Sequence, residues 1–198
     1  PTGLLMPLSE VEEIVAANPD TVVIVDEAYI DFGGQSAVSL IAGYDNLLVV
    51  QTFSKSRSMA GMRIGFALGQ APLIKAMSDV KYSYNSYTMN LPSQVAGVKA
   101  LGDEEYFQET VGKVITTREK AKSRLAGLGF TFPDSRANFI FAKHKEKPAQ
   151  EIFQALKEKQ IFVRHFNQPR INNYLRITVG TEQEMEALFA FLGEYLSE

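Results

Sequence analysis

Apolar residues along the chain follow two patterns, short continuous runs and helical periodicity, and these alternate through the first hundred residues. The runs favour strands buried on both faces of a parallel sheet, and they cover residues 21–25, 47–51 and 64–68. The first helix is predicted over residues 10–17, where Ser9 can cap it because Glu12 stands three positions later. Further helices are predicted over residues 72–81, 91–101 and 104–128.

After Gly129 the pattern changes to shorter strands and two more helices. The strands are predicted near residues 130–132, 138–142, 162–164 and 174–178, and the helices near 149–159 and 182–195. We therefore predict an α/β chain in which residues 1–102 are the carboxyl-terminal part of a large domain, with a mostly parallel sheet and helices. Residues 103–198 are predicted to form a small α+β domain. Because three strands are few for a parallel sheet, we also expect part of the sheet to precede Pro1.

Charge and composition exclude several classes of protein. The 198 residues carry 20 Lys and Arg against 23 Asp and Glu, a net charge of −3 without a basic block, so we predict no nucleic-acid partner. No apolar run approaches the ~18 residues of a membrane span, so no membrane partner is predicted. With no cysteine, thiolate metal sites and disulfides are excluded, and a cytoplasmic location is expected by default.

Two groups of basic residues are interpreted as structural. His144 and His165 are expected to be exposed loop histidines, so no metal site is predicted. The cations of the long fourth helix are expected to form a solvated face, and they are Arg118, Lys120, Lys122 and Arg124.

Reactive side chains stand where the predicted strands end. Asp26 and Tyr29 follow the first strand and Lys55 follows the second, whereas Arg63 precedes the third. In open parallel sheets ligands gather at the carboxyl ends of the strands, so these side chains are expected to converge. Each alone has an ordinary explanation, since Asp is a common turn former and Tyr a common packing residue.

Together these residues match the requirements of pyridoxal phosphate. The cofactor needs a lysine amine to bind covalently, an acid to keep its ring nitrogen protonated, and hydroxyls with an arginine to hold its phosphate. In that order, the candidates are Lys55, Asp26, and the set Thr52, Ser54 and Arg63. Tyr29 can donate a hydrogen bond to the oxygen on the cofactor ring.

These candidates stand in motifs that resemble those of fold-type-I pyridoxal-phosphate aminotransferases. The motifs are residues 26–29 (Asp-Glu-Ala-Tyr), 52–55 (Thr-Phe-Ser-Lys) and 60–65 (Ala-Gly-Met-Arg-Ile-Gly), and residues 1–3 resemble the end of the family's Asn-Pro-Thr-Gly motif. Residues 137–139, 163–164 and 175–181 resemble the histidinol-phosphate aminotransferase branch.

The resemblance implies a role for each residue. Lys55 resembles the lysine that binds the cofactor and moves the substrate proton, Asp26 the partner of the ring nitrogen, and Tyr29 the donor to the ring oxygen. Ser54, Arg63 and Thr52 resemble phosphate ligands. Arg176 resembles the arginine that meets the substrate's anionic group, and Arg164 resembles a second anion contact. The implied enzyme is a homodimer that exchanges an amino group between histidinol phosphate and a 2-oxo acid, 2-oxoglutarate, in histidine biosynthesis.

Other activities share the same residues. An aromatic amino-acid aminotransferase, a threonine-phosphate decarboxylase, or the cofactor-sensing domain of an aminotransferase-like transcription regulator would also carry Lys55, Asp26 and Arg63. The family's motif places an asparagine directly before Pro1, and the phosphate-cradling turn and the stacking aromatic earlier still. We therefore expect this chain to be a fragment that is inactive alone. The polar run of residues 56–58 (Ser-Arg-Ser) departs from the family's usual small or aromatic residues, and the sequence offers no reason for it.

Overall fold

The computed structural model describes residues 2–197 and divides them into two compact units. One unit comprises residues 6–110, and the other comprises residues 2–5 with residues 111–197. Whether residues 1–102 and 103–198 are separate domains, as the sequence predicts, stays a prediction. The boundary between the compact units falls inside a helix, between residues 110 and 111.

All predicted helices and strands are present, with ends shifted by at most three residues. The first unit contains α1 (Leu8–Ala17), β1 (Val23–Asp26), β2 (Leu47–Thr52), β3 (Gly65–Gly69), α2 (Ala71–Tyr84), α3 (Leu91–Gly102) and the first turns of α4 (Glu104–Gly127). The second contains the rest of α4, β4 (Phe130–Thr131), β5 (Phe139–His144), α5 (Ala149–Glu158), β6 (Arg164–His165), β7 (Leu175–Thr178) and α6 (Glu182–Tyr195).

The sheet of the first unit has the strand order β1-β2-β3. β1 and β2 are parallel, with Asp26 opposite Val50, whereas β3 is antiparallel to β2, with Gly65 opposite Thr52. The α/β class is confirmed, although the third strand does not share the parallel direction. Because β3 is antiparallel, its first residue lies beside the last residue of β2, which brings the preceding Arg63 to the same edge of the sheet as Asp26.

The core of the first unit lies on one face of this sheet. Val11 and Val15 of α1 pack with Ala37, Leu47 and Val49. The expectation that the first strand is buried on both faces is wrong for this chain, since Ile24 is 62% exposed. Burial alternates along β1 because α1 covers only one face of the sheet.

Helix α1 begins without a side-chain cap, so the predicted role of Ser9 is wrong. The helix starts at Leu8, and Ser9 lies inside its first turn. The carbonyl of Pro7 accepts the backbone N–H groups of Glu10 and Val11, at 3.0 and 3.2 Å. Pro7 precedes the helix in an extended conformation (φ −56°, ψ 144°), so the chain enters the helix two residues earlier than the capping motif indicates.

The second unit is built on an antiparallel sheet with the order β4-β5-β7-β6. Its core is the largest apolar cluster of the described residues, and α4, α5, α6 and the sheet all contribute to it. Leu125, Ile140, Ile152, Leu175 and Leu192 are among its fully buried members.

The expectation of a solvated basic face on α4 is wrong for two of its four cations. Arg118 is fully buried, with Nη1 donating to the carbonyl of Ala137 at 3.0 Å. Lys122 is also buried, and its Nζ donates to Asp134 at 2.6 Å. Positions 118 and 122 are one turn apart and lie on the same side of the helix as the core residue Leu125. The side chains of Lys120 and Arg124 are exposed, as expected.

Neither histidine lies in an exposed loop, which corrects that expectation. His144 is buried in β5, where its Nδ1 accepts the N–H groups of Glu146 and Lys147, and its Nε2 lies 3.0 Å from the carbonyl of Leu128. This network assigns the hydrogen to Nε2. His165 is half-buried in β6, with Nε2 2.6 Å from the carbonyl of Asn172. Within residues 2–197, no three His, Cys, Asp or Glu side chains are grouped as metal ligands.

Across residues 2–197, each helix is too short or too polar to cross a membrane.

Candidate active site

Asp26 is the last residue of β1, and its side chain is exposed at the edge of the sheet. Its Oδ1 accepts the backbone N–H of Ala28 at 3.0 Å, which turns the chain away from the strand. Asp26 pairs with Val50, so it stands two residues before the end of β2 in the parallel register. A carboxylate therefore faces solvent at the edge where β2 ends.

Thr52 ends β2 and organises the turn that follows. Its Oγ1 accepts the N–H of Ser54 at 3.1 Å and lies 2.9 Å from the Ser54 hydroxyl. The same oxygen lies 3.1 Å from the carbonyl of Ile64, the residue after Arg63. The hydroxyls of Thr52 and Ser54 thus lie together beside the start of β3, just after Arg63.

Lys55 follows directly, and its side chain is exposed. Its Nζ lies 5.6 Å from the centroid of the Tyr29 ring, over the face of the ring. Tyr29 is half-buried at the start of the 3-10 turn Ile30–Phe32. The structure therefore brings together the predicted lysine and phenol from two different strand ends.

Arg63 lies in the left-handed region, with φ at +56°. Such a conformation is uncommon for a residue with a side chain and marks a position held by its surroundings. The Nη1 atom donates to the carbonyl of Ala60 at 2.8 Å, and the guanidinium is exposed. The adjacent carbonyl of Met62 accepts the buried hydroxyl of Ser93, at 2.8 Å.

Glu27 contributes to the site in a way that the sequence analysis missed. Its carboxylate is buried and accepts three hydrogen bonds, from the Ala37 N–H and the Ser36 hydroxyl, both at 2.6 Å, and from the Gln51 side chain at 2.8 Å. These bonds fasten the segment that carries Tyr29 to β2. No local spacing predicts them, because the partners lie 9 to 24 residues away along the chain.

Arg164 and Arg176 lie in the second compact unit and stand directly opposite each other on β6 and β7. Like charges on paired positions of neighbouring strands repel. Each guanidinium lies over an aromatic ring. The Cζ of Arg164 is 4.9 Å from the ring centroid of Phe166, and the Cζ of Arg176 is 5.1 Å from that of Phe139. The Nε of Arg176 is buried without a hydrogen-bond partner among residues 2–197. The pair has the charge and the unused donor capacity to bind an anion.

Comparison with known proteins places these residues in a family. The model of the family described as aminotransferase class I and II matches residues 1–192. The chain is 54% identical over 187 residues to a histidinol-phosphate aminotransferase of Brachyspira hyodysenteriae, a match that covers 94% of the chain and 53% of the relative. It is also 54% identical over 194 residues to one of Marinomonas sp., covering 97% of the chain and 55% of the relative. The chain thus spans about half the length of the curated relatives it matches.

Solved structures share the fold. The crystal structure of histidinol-phosphate aminotransferase from Sinorhizobium meliloti, in complex with pyridoxal-5'-phosphate, matches with a TM-score of 0.88 at 26% identity, over 100% of this chain and 55% of that one. The enzyme of the same name from Clostridium acetobutylicum matches with a TM-score of 0.90 at 21% identity, over 100% of this chain and 61% of that one. The family model covers nearly all of the sequence. The chain belongs to the aminotransferase class I and II family.

Proposed function

We propose that this chain is part of a pyridoxal-phosphate-dependent histidinol-phosphate aminotransferase. The observation that carries the proposal is the group of Asp26, Tyr29, Lys55 and Arg63 at one edge of the sheet, in a chain that is 54% identical to relatives of that name. The proposed reaction transfers the amino group of histidinol phosphate to 2-oxoglutarate. The family resemblance supports a homodimer that acts on small molecules. The net charge of −3 without a basic block supports an enzyme that binds no nucleic acid, and the short apolar runs support one that binds no membrane. A cytoplasmic location is proposed by default.

The donor set at the edge fits the cofactor. Pyridoxal phosphate has an aldehyde, a basic ring nitrogen and a phosphate, and the edge offers an amine, a carboxylate and a guanidinium with two hydroxyls. Lys55, Asp26 and Arg63 are all exposed, so these groups are available to a ligand. The positive φ of Arg63 directs this residue away from the regular strand that begins at Gly65.

When bound, the cofactor supplies a ring that accepts the electrons released as a bond to the substrate's α-carbon breaks. Asp26 holds a proton on the ring nitrogen, because an exposed carboxylate beside that nitrogen favours its cationic form. Arg63, Ser54 and Thr52 bind the phosphate and so fix the position of the ring.

Lys55 is the group that moves the proton in the reaction. Its amine takes the proton from the substrate's α-carbon and delivers it elsewhere on the bound substrate and cofactor. Tyr29 lies beneath Nζ at 5.6 Å, so its ring face attracts the amine once the amine has taken up the proton. The hydroxyl of Tyr29 is the proposed donor to the oxygen on the cofactor ring.

Arg176 and Arg164 are the proposed site for the anionic group of the amino donor. Their mutual repulsion decreases when a dianionic phosphate lies between them. A phosphorylated amino alcohol satisfies such a site better than an uncharged aromatic side chain does. This preference favours histidinol phosphate over an aromatic amino acid, whereas a phosphothreonine substrate would share it.

The test uses the full-length protein that carries this chain. Borohydride reduction with bound pyridoxal phosphate, followed by peptide mapping, is expected to place the adduct on Lys55, and Lys55→Arg is expected to abolish it. The control variant Lys75→Arg changes an exposed lysine of α2 and should retain the adduct. Amino transfer from histidinol phosphate should exceed transfer from phenylalanine or decarboxylation of threonine phosphate. An adduct elsewhere, or a preference for another substrate, would overturn the corresponding part of the proposal.

A further inference from the structure

Ser56 and Arg57 follow the exposed Lys55, yet both turn into the protein. Ser56 is buried, and its hydroxyl donates to the carboxylate of Asp31 in the 3-10 turn behind Tyr29. The side chain of Arg57 is only 15% exposed. The polar side chains of Ser56 and Arg57 therefore connect the turn that follows Lys55 to other parts of the first unit.

Arg57 fastens this turn to the end of α3. Its Nη1 donates to the carbonyl of Ala100 at 2.6 Å. Ala100 lies in the last turn of the helix, where carbonyls have no donor within the helix and carry a partial negative charge. The guanidinium also lies 4.0 Å from the ring centroid of Phe107 and 3.9 Å from the carboxylate of Glu104. One side chain thus meets the end of α3 and the first turns of α4.

The same helix also holds the turn of Arg63. The Ser93 hydroxyl, in the first turn of α3, donates to the carbonyl of Met62 at 2.8 Å. At Gly97 the helix packs so closely on the strand end that an added Cβ would lie 3.0 Å from Cδ1 of Ile64. α3 is therefore fixed to the residues on both sides of Arg63.

We propose that Arg57 is a positioning residue for Lys55, an inference that rests on the proposed cofactor site. The distance between the aldehyde and the phosphate of the cofactor is set by its covalent structure, so the protein must hold Lys55 and Arg63 at a matching separation. α3 sets that separation, because Ser93 holds the Arg63 turn near its beginning and Arg57 holds the Lys55 turn near its end. Arg57 is not among the residues proposed to hold the cofactor or the substrate.

The turn itself is short and depends on this support. Ser58 donates its N–H to the carbonyl of Lys55 at 3.1 Å, and Met59 donates to Phe53 at 3.0 Å. Ser58 has φ at +54°, a strained value for a serine. Without the bond from Arg57 to α3, the turn can relax toward ordinary backbone angles, and Lys55 moves with it.

The experiment compares three variants of the full-length enzyme. Arg57→Met keeps length and apolar contact with Phe107 but removes the charge and the bond to Ala100, whereas Arg57→Lys keeps the charge. Lys99→Met is the matched control, since Lys99 is an exposed cation that lines, together with Arg57 and Phe107, a cleft of about 220 Å³. The measurements are the dissociation constant of pyridoxal phosphate, the visible circular dichroism of the bound cofactor, and kcat and KM for the amino donor.

For Arg57→Met we expect pyridoxal phosphate to bind about tenfold more weakly, as the loss of one charge-assisted hydrogen bond implies. The circular dichroism of the cofactor should weaken, and kcat should fall more than KM changes. Arg57→Lys should lie between this variant and the wild type, and Lys99→Met should match the wild type. A merely structural role would lower thermal stability without moving the cofactor signal or kcat.

Unchanged cofactor affinity, circular dichroism and kcat in Arg57→Met would overturn the positioning role while leaving the proposed function intact. If Arg57→Met does not fold, Arg57→Lys decides by the same measurements, and wild-type values there would overturn the role. If Lys99→Met loses as much cofactor affinity and kcat as Arg57→Met, the positioning role is also overturned, because any cation lining the cleft would then have the same effect. A wild-type protein that binds no pyridoxal phosphate would overturn the proposed function and, with it, this inference.

Discussion

Two acids follow one another at the end of β1, and only one of them is free to serve a cofactor. Glu27 is buried and accepts three hydrogen bonds, whereas Asp26 is exposed and accepts one from Ala28. We expect Asp26→Asn in the full-length enzyme to lower kcat about a hundredfold or more, because an amide does not hold the ring nitrogen protonated. Cofactor should remain bound through Arg63 and Ser54, as its absorbance would show.

Asp45→Asn is the control for this substitution, since Asp45 is an exposed acid of the same unit in the turn before β2. Near-normal turnover in Asp26→Asn would show that another acid is the partner of the ring nitrogen.

The two arginines of the second unit should affect substrate rather than cofactor. Arg176→Ala removes a guanidinium whose Nε is buried, and we expect KM for histidinol phosphate to rise about fiftyfold, as the loss of about 2–3 kcal/mol of anion binding implies. Arg164→Ala should raise KM less, because Arg164 is the more exposed member of the pair. Steady-state kinetics and the cofactor absorbance check both expectations. Loss of the cofactor with unchanged substrate affinity would contradict the assigned role of Arg176.

At the scale of an element, α4 carries ion pairs whose strength depends on pH. The hydrogen bond from Lys122 holds the pKa of Asp134 below its ordinary value. For Glu119, partial burial raises the pKa, but the hydrogen bonds from Lys122 and Arg118 lower the pKa by more than burial raises it. The net shift is downward. Carboxyls with a lowered folded-state pKa stabilise the fold above their unfolded pKa, and this contribution disappears as the pH falls through the folded-state pKa.

We therefore expect the free energy of unfolding to decrease from about pH 4 downward, partly because these two carboxyls take up protons. Asp134→Asn should make that decrease smaller, by less than about 1 kcal/mol because the Asp134 side chain is 63% exposed. Urea unfolding between pH 7 and pH 3 measures it, with Asp45→Asn as the control. An unchanged acid dependence in Asp134→Asn would contradict the assignment.

Periodicity predicted the existence and type of each α-helix and strand, because these elements carry strong local patterns, but it did not predict the 3-10 helices such as Ala37–Gly43. It did not predict the surroundings of polar side chains on those elements. Arg118 and Lys122 have the composition of a solvated face, but the carbonyl of Ala137 and the carboxylate of Asp134 allow both cations to be buried. His144 is buried for the same reason, since Leu128, Glu146 and Lys147 supply partners for its ring.

In the candidate site as well, features set by nearby sequence were predicted, and features set by contacts distant along the chain were not. Asp26, Lys55 and Tyr29 could be found because each stands at a strand end, where ligands gather. The antiparallel direction of β3, which brings Arg63 to that edge, depends on strand pairing and has no local signal. The contacts of Ser56 with Asp31 and of Arg57 with Ala100 span 25 and 43 residues, so the polar run after the lysine had no explanation in the sequence.

At the scale of the whole molecule, the described residues expose large apolar side chains on several elements. Val22, just before β1, and Ile24 on β1 are exposed, while Leu47 to Val49 on β2 are buried. Val80 on α2 and Val98 and Leu101 on α3 are also exposed. Because contiguous apolar surface favours association, we expect the isolated 198-residue chain to self-associate at micromolar concentrations. Light scattering against concentration measures this, and Ile24→Lys should reduce it, whereas a monodisperse monomer at all concentrations would contradict it.

Activity of the isolated chain is the last expectation at this scale. Asp26, Lys55 and Arg63 are all exposed, so water screens each ionic contact with a cofactor. Those contacts must also offset the loss of translational and rotational freedom, about 4 kcal/mol or more for any ligand. We therefore expect the 198-residue chain to bind pyridoxal phosphate only weakly and to transfer no amino groups, whereas the proposed full-length enzyme is expected to do both.

Absorbance titration with pyridoxal phosphate and an assay with histidinol phosphate and 2-oxoglutarate test this expectation. Circular dichroism in the far ultraviolet must first show that the chain is folded, because an unfolded chain would fail for a different reason. Lys55→Ala is the matched variant, since free lysines elsewhere on the surface also react with the aldehyde. Turnover by the chain, or tight binding that disappears in Lys55→Ala, would mean that the edge formed by Asp26, Lys55 and Arg63 is sufficient by itself.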